Sequence, residues 1–247
     1  MTNPVSQWIS KAAQFEEPLV QVANRAETLP LKINWLLLGS AMQQKIGLFE
    51  LQNFLTELQK EINDIAELPV PSENLILSVV SKCKLKDWNL AQQAAGIVWS
   101  VGRFARAREN RLDLWAKKNS PSTLWQQSSE IFYMGKSNPL RPKVLGFLFR
   151  LSFLSNTGEG VLPPLPNFAG ARRWLIQSRV YNSEQSPKEK LRDANSLYKE
   201  LSPKKPSLAC HALQFFAEPI NESTYFCQRI FPCNLCPVGS FCIFHKQ

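Results

Sequence analysis

Four thiols gather near the end of this 247-residue chain. Cys227, Cys233, Cys236 and Cys242 are separated by spacers of five, two and five residues. A cubane [4Fe–4S] cluster takes four thiolates that converge from different directions. One short loop can supply them if its middle pair sits on a tight turn, and Cys233-Asn234-Leu235-Cys236 offers such a turn. Zinc is the plainer alternative. Zinc ribbons use two separate Cys-x2-Cys knuckles, however, and this loop has only one. A disulfide or uncoordinated-thiol reading stands third. The two remaining cysteines, Cys83 and Cys210, fall singly in helical patterns and are expected as small core residues, with His245 a solvated tail residue.

The compartment bears on that choice. The N-terminal MTNPVSQWISKAAQFEEP has no basic stretch followed by an apolar one, so it does not read as a signal peptide. No apolar run approaches the ~18 residues of a membrane span. A cytoplasmic location is expected, where thiols stay reduced and clustered cysteines point to metal.

The elements that must position this loop read as helices almost throughout. Residues 31–38 are a nearly continuous apolar run, expected as a buried helix. Leu48, Leu51, Phe54, Leu55, Leu58, Ile62 and Ile65 step by three and four along one helical face, and Pro69 and Pro71 stop it. Ser72 can cap a short helix with Leu75, Ile76, Val79 and Val80. A longer helix starts near Asn89 and puts Leu90, Ala94, Ile97, Val98, Val101 and Ala105 on one side. Ser120-Pro121 is a cap followed by proline at the first helical position. Another helix runs through Val144, Leu145, Leu148 and Leu151. Residues 156–166 are rich in Gly and Pro and read as a loop or boundary. Ser186-Pro187-Lys188-Glu189 is a capping box ahead of Leu191, Ala194, Leu197, Tyr198 and Leu201. No alternating β pattern is evident, and about ten helices are expected in an all-α fold.

The cysteine spacing resembles the C-terminal cluster loop of the endonuclease III family of helix-hairpin-helix DNA glycosylases, with the first spacer one residue shorter here. The lead-in is similar too, because family members carry an Asp-Cys-His run before the cluster and this chain has Ala209-Cys210-His211. The capping-box helix sits where the family has one. Leu38-Gly39-Ser40-Ala41-Met42-Gln43 resembles the family's Leu-Ser-Ala-Gln segment. The resemblance implies a two-lobed, glycosylase-like bundle of two parts. Residues 31–150 would form a middle lobe with a degenerate hairpin, and 1–30 would join 151–247 in a second lobe ending in the cluster loop.

It also implies where nucleic acid would sit. The family hairpin, Leu-Pro-Gly-Val-Gly-x-Lys-Thr-Ala, lies over residues 134–150, and Lys143 falls on its Lys. Both hairpin glycines are missing, replaced near Pro139, Leu140 and Arg141. The family's catalytic Asp falls on Pro163-Pro164-Leu165-Pro166-Asn167-Phe168, which holds no acid, and Glu159 is the only acidic side chain nearby. A carboxylate is the natural group to stabilise an oxocarbenium-like sugar. No catalytic residue is therefore assigned.

Charge supports a polyanionic partner, with 29 Lys and Arg against 20 Asp and Glu, a net +9. Lys136, Arg141, Lys143 and Arg150 cluster around the hairpin position and are the expected phosphate contacts. Arg103, Arg106, Arg108 and Arg111 form a second basic segment, expected mainly as a solvated face. The expectation is a monomeric, cytoplasmic iron–sulfur protein that binds double-stranded DNA, does not enter membranes, and has lost or altered glycosylase activity. Two alternatives stand beside it: an active glycosylase or abasic lyase using Lys143, and a cluster-bearing protein-interaction module that never touches nucleic acid.

Overall fold

The computed structural model describes residues 4–12, 14, 16–43, 46–67, 73–85, 88–120, 123, 124, 126–128, 147, 150, 151, 154, 196–203, 206, 208, 209, 212, 219–221, 224, 225 and 232–236. The described part is mostly helical. In chain order it has α1 (Pro4–Ala12), α2 (Pro18–Asn24), α3 (Leu29–Met42), α4 (Leu48–Glu61), α5 (Glu73–Lys82), α6 (Trp88–Arg106) and α7 (Leu112–Lys118). A 3-10 turn at Ile65–Glu67 follows α4. Residues 196–201 are also helical.

The chain divides into two compact units, one spanning Glu17–Val161 and the other joining Met1–Glu16 to Leu162–Gln247. In the first unit α3 is the centre. Every residue from Ile33 to Met42 is buried, as its continuous apolar run requires. Helices α2, α4, α6 and α7 all pack on it. On α4, Leu48, Leu51, Phe54, Leu55 and Leu58 are buried, and Ile62 and Ile65 continue the same face past the helix end. On α6, Ala94, Ile97, Val98, Val101 and Ala105 are buried as its periodicity marks, and Ala91, Ala95 and Phe104 are buried with them.

Helix α2 belongs to this unit, not to the part formed with residues 1–16. Its Leu19, Val20 and Val22 are buried. Polar contacts then fix it to α4: Gln52 Nε2 donates to Gln21 Oε1 at 2.6 Å, Gln59 Nε2 to the Val22 carbonyl at 2.9 Å, and Arg25 Nη1 to Thr56 Oγ1 at 2.8 Å. A boundary drawn at residue 31 cuts through these contacts, which link residues 31 to 37 positions apart.

Helix α7, absent from the sequence reading, closes the unit with an aromatic group. Trp115 meets Phe104 edge-on at 5.2 Å and stacks near Phe147 at 6.2 Å. Its indole Nε1 donates to Gln127 Oε1 at 2.6 Å. The expected Ser120 cap is formed, with Thr123 N donating to Ser120 Oγ at 3.2 Å. Gly102 has a packing reason: a Cβ there would lie 2.8 Å from the Ile65 carbonyl oxygen, so α6 and the 3-10 turn approach backbone to backbone.

Among the described residues of the second unit, one segment departs from the all-helical expectation. Strands β1 (Pro219–Asn221) and β2 (Thr224–Tyr225) form a short antiparallel ribbon, pairing Pro219 with Tyr225 and Asn221 with Thr224. Segments this short carry too few residues to show alternation, so pattern alone does not reveal them. The ribbon ends two residues before Cys227.

Candidate functional site

The expected central turn of the cysteine loop is present. Cys233–Leu235 form a 3-10 turn, with Pro232 at its N-cap and Cys236 at its C-cap. Leu235 N donates to the Pro232 carbonyl at 2.9 Å, and Cys236 N to the Cys233 carbonyl at 3.3 Å. Proline suits the entry because it fixes φ and has no N–H to leave unbonded. A 3-10 turn brings positions three apart to the same side of its axis, which suits Cys233 and Cys236 for adjacent positions on one metal centre. Both are half-buried, and neither is in a disulfide. Cys227 and Cys242 lie outside the described residues. Among the described residues no three metal-ligating side chains gather. The donor set is thiolate throughout, which fits an iron–sulfur centre and also zinc.

None of the three residues of the Cys233–Leu235 turn is buried, and Leu235 is 68 % exposed. Cys83 differs from its expected role as a core residue. It is half-buried and lines a surface cleft of about 470 Å³ with Asn53, Thr56, Glu57, Lys82 and Lys84. Burial pushes its thiol above the usual range, and the neighbouring Glu57 carboxylate adds to that. It is therefore a poor nucleophile at neutral pH. Cys210, His211 and His245 lie outside the described residues.

Of the four residues expected at DNA phosphates, Lys136, Arg141 and Lys143 lie outside the described residues, as do Glu159 and Asn167. Arg150 is described, and it is not a surface cation. Only 3 % exposed, it donates from Nε to Glu17 Oε1 at 2.8 Å. Glu17 is itself buried, and its other oxygen, Oε2, accepts from Val20 N at 2.9 Å as the N-cap of α2. The assignment of Arg150 to a phosphate contact is corrected. A side chain sealed in this way cannot reach a duplex, and its charge is already matched by a carboxylate 133 residues away in sequence.

The second basic segment is solvated as expected, with Arg103, Arg106 and Arg111 exposed and Arg108 half-buried. Its arginines are tied to particular partners within the central unit. Arg106 Nη1 donates to the Ala66 carbonyl at 2.8 Å. Arg108 lies over the Phe104 ring, 3.4 Å from its centroid, and donates to the Phe104 carbonyl. Arg111 forms a two-pronged pair with Asp113, at 3.1 and 3.0 Å, which holds the Asp113 carboxyl below its usual range and pushes the guanidinium up. Arg103 stacks on Trp99, 4.8 Å from the ring centroid. Trp99 went unremarked in the sequence reading. The signal was there, since Trp99 falls off the apolar face that Ala94, Ile97, Val98 and Val101 define.

No helix among the described residues is long and apolar enough to cross a membrane. No protein family, curated protein or solved structure matches this chain.

Proposed function

We propose that this chain is an iron–sulfur protein that binds DNA, resembles base-excision glycosylases, and has lost or altered glycosylase activity. The observation that carries the reading is the four-cysteine loop with its Pro232-capped Cys233–Cys236 turn. Four thiolates in one loop would hold a [4Fe–4S] cluster, which supplies a rigid, charged anchor for that segment. The net charge of +9 supports an anionic partner. Lys136, Arg141 and Lys143 are the cations offered for phosphate contact, and the absence of an acid over residues 163–168 is the reason excision is not expected.

Anaerobic purification tests the metal. The protein should be brown and carry about four irons per chain, as a four-thiolate cubane requires. One zinc and no iron would overturn it. Duplex binding is tested by anisotropy across a salt series. Replacing Arg141 and Lys143 together by Ala should weaken binding and lower the salt slope by about two. Undetectable binding at low salt would favour the interaction-module reading.

Lys143 with Arg141 beside it supports one second reading, a residual abasic lyase. That step needs only an amine that can form a Schiff base, and a cationic neighbour favours its neutral form. Borohydride should then trap a covalent adduct on abasic DNA that disappears in Lys143→Ala. Efficient release of an intact damaged base would overturn the negative expectation and point to Glu159 or another acid.

A further inference from the structure

The exposed side of α6 has a composition that its neighbours do not require. Gln92, Gly96, Trp99 and Arg103 follow one another at intervals of four, three and four, so they form one stripe along the helix. Gln92, Trp99 and Arg103 are exposed, and Gly96 is partly so. Trp99 is 38 % exposed, and among the described residues it is one of only three large apolar side chains left in solvent. All nineteen positions of α6 lack Asp and Glu. Arg103 and Arg106 complete the helix at its C-terminal end, where cations also suit the helix dipole.

Trp99 and Arg103 act as a unit. The guanidinium sits 4.8 Å from the ring centroid, which holds two long side chains in one arrangement before anything binds. A flat aromatic surface beside a planar cation, on a helix without acids, matches a ligand that has both π faces and negative charge. Paired bases hide their faces in the stack, whereas unpaired ones can lie on an aromatic ring. A lipid surface would need a broad apolar face, and here one Trp stands among polar residues. A second copy of the chain would bring the same cations against these.

We infer that the exposed face of α6 binds single-stranded nucleic acid, with an unpaired base stacked on Trp99 and an adjacent phosphate held by Arg103. The inference deepens the nucleic-acid reading above and rests on it, but it uses residues remote in sequence from Lys136, Arg141 and Lys143.

The test measures the intact chain against two fluorescein-labelled probes, an oligothymidylate of about twelve nucleotides and a duplex, by anisotropy across a salt series. Trp99→Ala should weaken oligothymidylate binding roughly tenfold to a hundredfold, the effect of removing one base–aromatic stack, with the salt slope unchanged. Trp99→Phe should stay within about threefold of the parent, because a ring remains. Arg103→Ala should lower the single-strand salt slope by about 0.7, the loss of one phosphate contact. Lys60→Ala, an exposed cation on α4, should change neither probe. Oligothymidylate binding equal in Trp99→Ala and the parent, or no binding by the parent at low salt, would overturn the proposal. So would loss of a captured protein partner in Trp99→Ala with oligonucleotide binding intact. Duplex binding that survives such a result would leave the broader DNA reading standing. Single-strand binding that depends on Trp99, with none to duplex, would support α6 and overturn the duplex reading.

Discussion

The core around α3 and the turn at Cys233–Cys236 are held in opposite ways. Around α3, ten consecutive residues are buried, and helices before and after it in sequence close over them. At the cysteine turn no residue of the 3-10 segment is buried, and its apolar member, Leu235, faces solvent. Burial of apolar area stabilises the first, at about 25 cal/mol per Å². Among the described residues the second shows no comparable buried area, and the 3-10 hydrogen bonds from Leu235 N and Cys236 N give it its shape. The difference is that burial orders the α3 core, whereas the proposed cluster would be the anchor of the cysteine segment.

The largest test of that contrast lies at the buried ion pair between Arg150 and Glu17. Arg150→Ala leaves Glu17 buried without its cation and should cost about 3–5 kcal/mol in urea unfolding. Exchanging both partners, Glu17→Leu with Arg150→Met, should recover most of this, because a well-packed apolar pair often replaces a buried ion pair at little cost. A residue of about 1 kcal/mol should persist from the lost cap on Val20 N. If the double variant were as unstable as Arg150→Ala, the pair would be contributing more than charge matching.

Next in size is Gly102→Ala. Its Cβ would meet the Ile65 carbonyl at 2.8 Å, and backbone cannot yield as a flexible side chain can. Destabilisation of about 1–3 kcal/mol is expected by thermal unfolding, as for other overpacked positions. Gly39→Ala is the sharper comparison, because a Cβ there meets only the methyl ends of Leu55 and Leu19, at 3.1 and 3.2 Å. It should cost less than Gly102→Ala.

Smaller again is the pair on the surface of α7. The Arg111 hydrogen bond holds Asp113 below its usual carboxyl range. Its contribution is therefore present above the ordinary carboxylate pKa and lost as pH falls through the depressed folded value. Asp113→Asn should lower stability at neutral pH by a few tenths of a kcal/mol, since the pair is largely solvated. Parent and variant unfolding curves should converge as pH drops below about 4. A constant difference across that range would assign the effect to something other than the charge.

The smallest effect expected in the core comes from removing a ligand of the proposed cluster. Cys236→Ser should abolish iron binding and expose the C-terminal segment to protease, because local folding and metal binding are coupled. Amide-exchange protection in α3 and α4 should change by less than about 0.5 kcal/mol if those helices rest on burial alone. Large deprotection of α3 in the iron-free variant would break the comparison, because the core would then depend on the cluster.

Much of the helical order is legible residue by residue. The apolar run of α3, the three-and-four stepping of α4 and α6, the Ser120 cap and the turn between Cys233 and Cys236 all express themselves within a few neighbouring positions. Helix α7 escaped because seven residues with two lysines at their end offer little periodicity. The β ribbon escaped because strands of three and two residues offer none. The DNA-facing assignment of Arg150 failed for a different reason. Sequence shows that an arginine is charged, not where its counter-charge will be.

What the sequence determined by itself is therefore local: which segments are helical, which faces are apolar, and how four thiols are spaced near one another along the chain. Tertiary structure alone decided the fates of two cations: it sealed Arg150 against Glu17 and tied Arg106 to the Ala66 carbonyl, whereas Arg108 over Phe104 and Arg103 on Trp99 meet partners only four residues away. The physical reason is distance along the chain. Helical periodicity and capping are settled within about one or two turns, whereas a charge is matched by whatever side chain the packed core brings within about 3 Å of it, here as far as 133 residues away.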